Sequence, residues 1–404
     1  MTAAVASLPS AIHDSFQSLK IQPSKAVHKD VYDSEEKKAS RRRIFDTPYE
    51  PNLKWWTSNQ AEYAKPANDP LPQGFPQKVV SKSVWDGKTL INQPENWLYT
   101  FTEEDVSLIN KAYEHFQSLN ITNNEIDQTT FPVPQHSALY KALVGITYEL
   151  NHGLGLRVLR GLPVDEWTRS KQISVFAGIS AYVSPRRIAN NGNNIVHLRF
   201  VKGQTNGNQV FHNDGSLGII SLFTLGVAET GGLSQLASVG QTYNYFAENR
   251  RDILRELAKN DWKNRYQPEG RPLIHPVGKD QVISVYSRRP YFGFYGADED
   301  VEPLPTEKHL ALDAIHFTAE KFSLDLDLQK GDLEYVNNVT VYHARTSSED
   351  SEKNQRHLIR LWLDNEEQPL PEILVDEFRK TREGKGWPQE AWDSLDEVVN
   401  RNKE

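Results

Sequence analysis

The chain has 404 residues, a net charge of -8 and a pI near 5.9, enough for one large or two ordinary domains around a real core. The acidic balance argues against a dedicated nucleic-acid binder, which needs a basic surplus or stripe. With no cysteine, and Met1 as the only methionine, disulfides, Cys-ligated zinc, iron–sulfur clusters and cysteine nucleophiles are excluded, so any metal must bind through nitrogen and oxygen.

The N-terminus "MTAAVASLPSAIHDSFQSLKIQ" lacks the basic start and continuous apolar stretch of a secretory signal, and no later segment approaches membrane-spanning length. The expectation is a soluble, cytoplasmic protein with no membrane partner. Residues 1–45 are polar and without periodicity and read as a loosely held arm, with "KKASRRR" (37–43) a solvated charge run. Residues 46–404 read as a single domain. Helical spacing of apolar residues appears at 103–118, 136–152 and 164–183, with "GLRVLRGLP" between the last two as a strand and turn. After 208 the pattern turns to strands: "LGIISLFTLGVA", "LSQLASV", "QVISVYS", "DLEYVNN", "VTVYHAR" and "HLIRLWLD", with helices near 243–259 and 306–322. Short strands bounded by Gly, Asp and Asn predict a mainly β fold, an antiparallel barrel or jelly roll with its core at 195–365, buttressed by helices.

No G-x-S-x-G elbow, phosphate-cradling G-x-x-x-x-G-K, dinucleotide G-x-G-x-x-G or H-E-x-x-H is present. What remains is histidine with carboxylate. H-x-D occurs twice: His28/Asp30 sits in the lysine-rich arm with nothing to rigidify it, whereas His212/Asp214 leads into a buried strand. Residues two apart on a strand point the same way, so this second pair offers an imidazole and a carboxylate to one point. In "VTVYHAR", Val339, Val341 and His343 fall on one strand face, which predicts an inward His343. Two histidines and a carboxylate leave other positions of an ion open, as in non-heme Fe(II) oxygenases; the competing reading is a set of hydrogen-bonded core residues. Arg360 lies between Leu358 and Trp362 on one face of an apolar strand, so it requires an anion. Either an internal carboxylate such as Asp332 or Glu334, or a bound dicarboxylate gripped in bidentate fashion, would serve.

"FHNDGS", "AETGGLSQLAS", "YSRRPYFG", "GDLEYVNNVTVYHAR" and "QRHLIRLWLDN", in that order, resemble the taurine dioxygenase family of Fe(II)- and 2-oxoglutarate-dependent oxygenases in its fungal form, with likeness from about "VWDGKTL" onward. The resemblance implies a double-stranded β-helix with His212, Asp214 and His343 holding Fe(II), and 2-oxoglutarate and O2 as cosubstrates. It implies that Arg360 grips the distal carboxylate of 2-oxoglutarate, with Ser234 assisting and Arg356 as a second basic position. Hydroxylation of a small-molecule C–H bond with release of succinate and CO2 is the implied reaction; desaturation or oxidative cyclisation is the alternative. A non-catalytic jelly-roll binding module is the reading from another class. Asn213, His197, Tyr342 and Arg345 flank the site in sequence and are candidates for the substrate face, the substrate being a small polar metabolite such as an amino acid or other carboxylate. A homo-oligomer is compatible with the sequence, which does not specify one.

Overall fold

In the computed structural model, which describes residues 51–63, 69–188, 196–199, 208–215, 217–264, 267–292 and 304–375, polar side chains set just ahead of apolar runs start several of the helices. The arm expected at 1–45 and the His28/Asp30 pair lie outside the described residues. Among those residues, the helices of seven residues or more are α1 (Leu53–Tyr63), α2 (Glu103–Ser118), α3 (Ala138–His152), α4 (Arg169–Val183), α5 (Val239–Asn249), α6 (Arg251–Leu257) and α7 (Thr306–Lys321). Thr102 and Asp105 form a capping box, each side chain accepting the other's backbone N–H, and Ser137, Thr168 and Ser238 cap α3, α4 and α5. The helix expected over 164–183 begins only after Thr168, because Val164–Glu166 form a separate 3-10 turn. The one expected near 243–259 starts earlier and breaks in two at Arg250, whose backbone leaves the helical region (φ -146, ψ 62).

The strands are β1 (Leu98–Thr100), β2 (Leu156–Arg160), β3 (Arg187–Ile188), β4 (Val196–Arg199), β5 (Gln209–His212), β6 (Ile219–Gly226), β7 (Thr230–Gly231), β8 (Ser234–Ser238), β9 (Ile274–Val277), β10 (Gln281–Ser284), β11 (Leu324–Leu326), β12 (Leu333–Asn337), β13 (Val341–Arg345), β14 (Ser348–Glu349) and β15 (His357–Leu363). A seven-stranded sheet runs β1-β2-β12-β6-β15-β3, with β4 also on β15, and only β1 and β2 pair in parallel. A four-stranded antiparallel sheet runs β11-β8-β13-β5. The chain passes between them: β5 to β6, β12 to β13, then on to β15. The fold is mainly antiparallel β with flanking helices.

Alternation along the strands builds the layers. Ile219, Phe223, Leu333, Tyr335, Ile359, Leu361 and Leu363 of the large sheet pack in one core with α2, α3 and α4. Tyr342 and Ala344 of β13 pack in another with α5, α6 and α7. Leu156, Val158 and Val336 of the large sheet meet Leu236, Leu324 and Val341 of the small one, so the sheets lie face to face. Each such fully buried aliphatic side chain contributes roughly 1.5–3 kcal/mol. Ile220, Leu222 and Leu358 continue the apolar inner face of the large sheet, and the polar residues of the site stand among them.

Candidate metal centre and anion pocket

Register brings the two histidines together. His343 of β13 is the direct cross-strand partner of His212 at the end of β5, and their ring centres lie 4.1 Å apart. Asp214 lies just past the end of β5 rather than on the strand, and the turn after β12 holds it: Asn338 Oδ1 accepts from the Asp214 N–H at 2.9 Å while Asn338 Nδ2 donates to the Asp214 carbonyl at 2.9 Å. Val339 also lies in that turn, so only Val341 of the two expected valines shares the strand with His343. Asp214 Oδ1 stands 3.5 Å from His212 Nε2 and 3.6 Å from His343 Nε2. One donor atom from each of the three lies within 4.8 Å of the others.

The donors are prepared for a cation. His212 Nδ1 is 2.8 Å from the Val210 carbonyl, a contact that places the ring proton on Nδ1 and leaves the Nε2 lone pair for the centre. Both ring nitrogens of His343 are buried without a hydrogen-bond partner, an arrangement that costs stability unless something else occupies it. Burial, aided by the charges of His212 and Arg360, pushes its imidazole down to about 4, so it is neutral at physiological pH. Burial alone would raise the Asp214 carboxyl, but Arg360 beside it, together with His212 and His343, holds it well below the usual range. Two imidazoles and an ionised carboxylate are a donor set that fits Fe(II).

The second oxygen of Asp214 is taken. Arg360 Nη1 donates to Oδ2 at 2.7 Å and Trp362 Nε1 donates to the same atom at 2.8 Å. The anion facing Arg360 is thus neither Asp332, which pairs with Arg160 at 2.7 Å, nor Glu334. Only Nη1 is engaged in this pair, and Arg360 also lines the cavity beside the triad.

Beside the triad is a narrow cavity lined by polar Gln209, Ser234, Glu334, His343, Arg345, Arg356 and Arg360 and by apolar Ile220, Leu222, Val336 and Ala344. Register again explains the convergence: Ser234 opens β8 directly opposite Arg345 on β13, while Glu334 and Arg360 both neighbour Leu222 across the large sheet. Burial and the neighbouring charges of Arg345 and Arg360 push Arg356 down to about 9, against the pull of Glu334, so it stays cationic at neutral pH. Burial pushes Glu334 up to about 7, opposed by a hydrogen bond with Ser234 and by Arg356. Three guanidiniums against Glu334 and the Asp214 that Arg360 binds leave the pocket cationic, suited to an anion.

The expected substrate residues divide. Arg345 faces the cavity, on the same side of β13 as His343. Tyr342, one residue away, faces the opposite side of β13, fully buried edge-on against Tyr286. Asn213 is also structural: its amide donates to the carbonyls of Asn338 at 2.6 Å and Val341 at 3.2 Å and accepts the Tyr286 N–H at 3.0 Å. His197 pairs through its backbone with Ile359, and its side chain lies outside the described residues. Sequence reasoning missed Asn338, Trp362 and Gln209. Trp362 alternates with Arg360 on β15, and that spacing was the available signal.

A two-sheet scaffold with two imidazoles and a carboxylate beside a cationic pocket defines the class of mononuclear non-heme metal enzymes. The family described as "Taurine catabolism dioxygenase TauD, TfdA family" matches residues 117–362. The chain belongs to that family and is a non-heme Fe(II)- and 2-oxoglutarate-dependent dioxygenase, which removes the binding-module reading. It is 28% identical over 310 residues to the taurine hydroxylase-like protein SAT17 of Stachybotrys chartarum, covering 70% of this chain and 79% of that one. It is 25% identical over 316 residues to FR-33289 synthase of Streptomyces rubellomurinus, covering 71% and 91%. Asparagine oxygenase shares the fold at a TM-score of 0.53 with 15% identity, over 67% of this chain and 93% of that one. The non-heme iron oxygenase OrfP, solved with Fe and 2-oxoglutarate (alpha-ketoglutaric acid), shares it at 0.52 with 12% identity, over 72% and 98%. Among the described residues no helix is long and apolar enough to cross a membrane.

Proposed function

We propose that His212, Asp214 and His343 hold Fe(II), that Arg356 with Ser234 takes the distal carboxylate of 2-oxoglutarate, and that the enzyme hydroxylates a C–H bond of a small carboxylate-bearing metabolite. The observation that carries this reading is that the three-residue donor set opens onto a pocket walled by Arg345, Arg356 and Arg360. Bound Fe(II) with 2-oxoglutarate supplies the O2-dependent oxidation, 2-oxoglutarate leaving as succinate and CO2. The chain's own part is to bind and orient. Arg356 and Ser234 fix the far end of the dicarboxylate, Arg345 adds charge, and Glu334 balances the cluster so that the cationic pocket tolerates burial. In this reading the passage of the chain between two facing sheets is a double-stranded β-helix, and residues 46–404 form one oxygenase domain around it. The substrate class draws support from the fold neighbours, an asparagine oxygenase and an oxygenase solved with L-Arg.

Anaerobic titration with Fe(II) and then 2-oxoglutarate tests the proposal through the visible charge-transfer band of the chelate. Wild-type protein is expected to show the band and Asp214→Ala to lose it; an undiminished band in Asp214→Ala would overturn the ligand assignment. Substrate-coupled succinate formation with amino acids and other small carboxylates is expected, with product gaining one oxygen. Coupling restricted to large apolar compounds would overturn the substrate class.

A further inference from the structure

We infer that Trp362 is a positioning residue for the metal centre: its indole N–H, with Arg360, holds Asp214 so that a single carboxylate oxygen faces the two imidazoles. The inference rests on the reading of Asp214 as an iron ligand. The two oxygens of Asp214 are treated differently. Oδ2 accepts from Trp362 Nε1 at 2.8 Å and from Arg360 Nη1 at 2.7 Å, whereas Oδ1 faces Nε2 of His212 at 3.5 Å and Nε2 of His343 at 3.6 Å. Two donors on one oxygen engage its lone pairs and fix the rotation of the carboxylate plane, so the free lone pairs all lie on the side of the histidines. Without them the group can turn and present both oxygens.

Packing makes the indole a rigid donor. Trp362 is 3% exposed and packs in one core cluster with Ile188, Leu217, Ile220 and Val339. Its ring also lies 5.4 Å from the Arg360 guanidinium, within cation–π range, so it places the second donor as well as supplying the first. Apolar filling alone would be met by phenylalanine or leucine; the N–H aimed at Oδ2 is what tryptophan adds. Such support of a metal ligand through a further hydrogen bond changes metal affinity by about 10–100-fold when removed.

A double-mutant cycle on the full chain tests this with Fe(II), and with Ni(II), which imidazole sites bind more tightly and which keeps weak backgrounds measurable. Calorimetric affinities would be compared for wild type, Trp362→Phe, Asp214→Ala and the double variant, with Tm recorded for each; Trp362→Leu repeats the cycle if the phenylalanine variant does not fold. The expected result is a loss of about 10–100-fold in metal affinity for Trp362→Phe that disappears in the Asp214→Ala background. Wild-type affinity in Trp362→Phe, or an equal loss in both backgrounds, would overturn the positioning role while leaving Asp214 a ligand. Equal affinity of wild type and Asp214→Ala would overturn the ligand reading and this inference with it.

Discussion

Arg356 and Arg360 are four residues apart near and along one strand, yet their surroundings assign them different work. Both line the anion pocket, Arg356 with Ser234 and Glu334, but Arg360 also donates to the carboxylate of the proposed metal ligand. Arg356→Met is therefore expected to raise KM for 2-oxoglutarate by at least about tenfold, since a hydrogen bond to a charged group contributes about 1.5–3 kcal/mol, with Fe(II) affinity little changed. Arg360→Met should lower Fe(II) affinity as well, and unchanged Fe(II) affinity in that variant, or an equal loss of it in Arg356→Met, would refute the division. Glu320 gives a prediction away from the site. Its Oε2 is buried without a hydrogen-bond partner, and burial, with repulsion from Asp325, pushes the carboxyl up to about 7. The folded chain therefore holds this proton more tightly than the unfolded one. Its contribution to stability is complete below the ordinary glutamate range, about 4.3, and is lost as pH rises through about 7. Glu320→Gln should accordingly raise Tm at pH 8 and leave it nearly unchanged at pH 4, and an equal shift at both would remove the ionisation argument.

The elements show where patterns along the chain suffice and where they do not. Residues 103–118 form a helix over the expected range because the capping box and the apolar spacing agree. The break at Arg250 has no proline or glycine to announce it; the Arg250 guanidinium instead grips Asp252 at 2.7 Å, an arrangement visible only once folded. That His212, Asp214 and His343 come together was legible because each stands at or beside an apolar strand; spacing also put Trp362 on the face of Arg360, but the bonds of Asn338 and Trp362 to Asp214 span 124 and 148 residues of chain, and no local pattern encodes those partners. Tyr342 packs away from His343 because adjacency in sequence means opposite faces on a strand. The double glycine at the end of β7 marks a further link between backbone and pocket. Gly231 and Gly232 both take left-handed φ, +71 and +76, and a Cβ on Gly232 would sit 3.2 Å from Arg356 Cδ. Gly232→Ala should destabilise the fold by roughly 1–2 kcal/mol through backbone strain and, by pressing on Arg356, raise KM for 2-oxoglutarate. Loss of stability with KM unchanged would show that Arg356 does not bind the cosubstrate from this position.

At the scale of the molecule, the proposed metal site ties two sheets that also meet through apolar packing and the Glu334–Ser234 hydrogen bond. His212 and His343 belong to the four-stranded sheet, and Asp214, between β5 and β6, is bonded to Arg360 and Trp362 on β15 of the seven-stranded one. An ion held by all three residues binds the folded chain and has no equivalent site in the unfolded one, so it must stabilise by mass action. At about one hundred times the dissociation constant that contribution is about 2.7 kcal/mol, which for a chain of this size corresponds to a Tm rise of about 3–5 °C. Anaerobic scanning calorimetry with increasing Fe(II) and 2-oxoglutarate should show this rise in wild type and none in Asp214→Ala. Removing the metal with a chelator should reverse it without loss of secondary structure, because each sheet has its own helical cover and core. A chain that unfolds outright on chelation would instead make the ion a structural requirement of the fold, and the independence of the two packed layers would have to be abandoned.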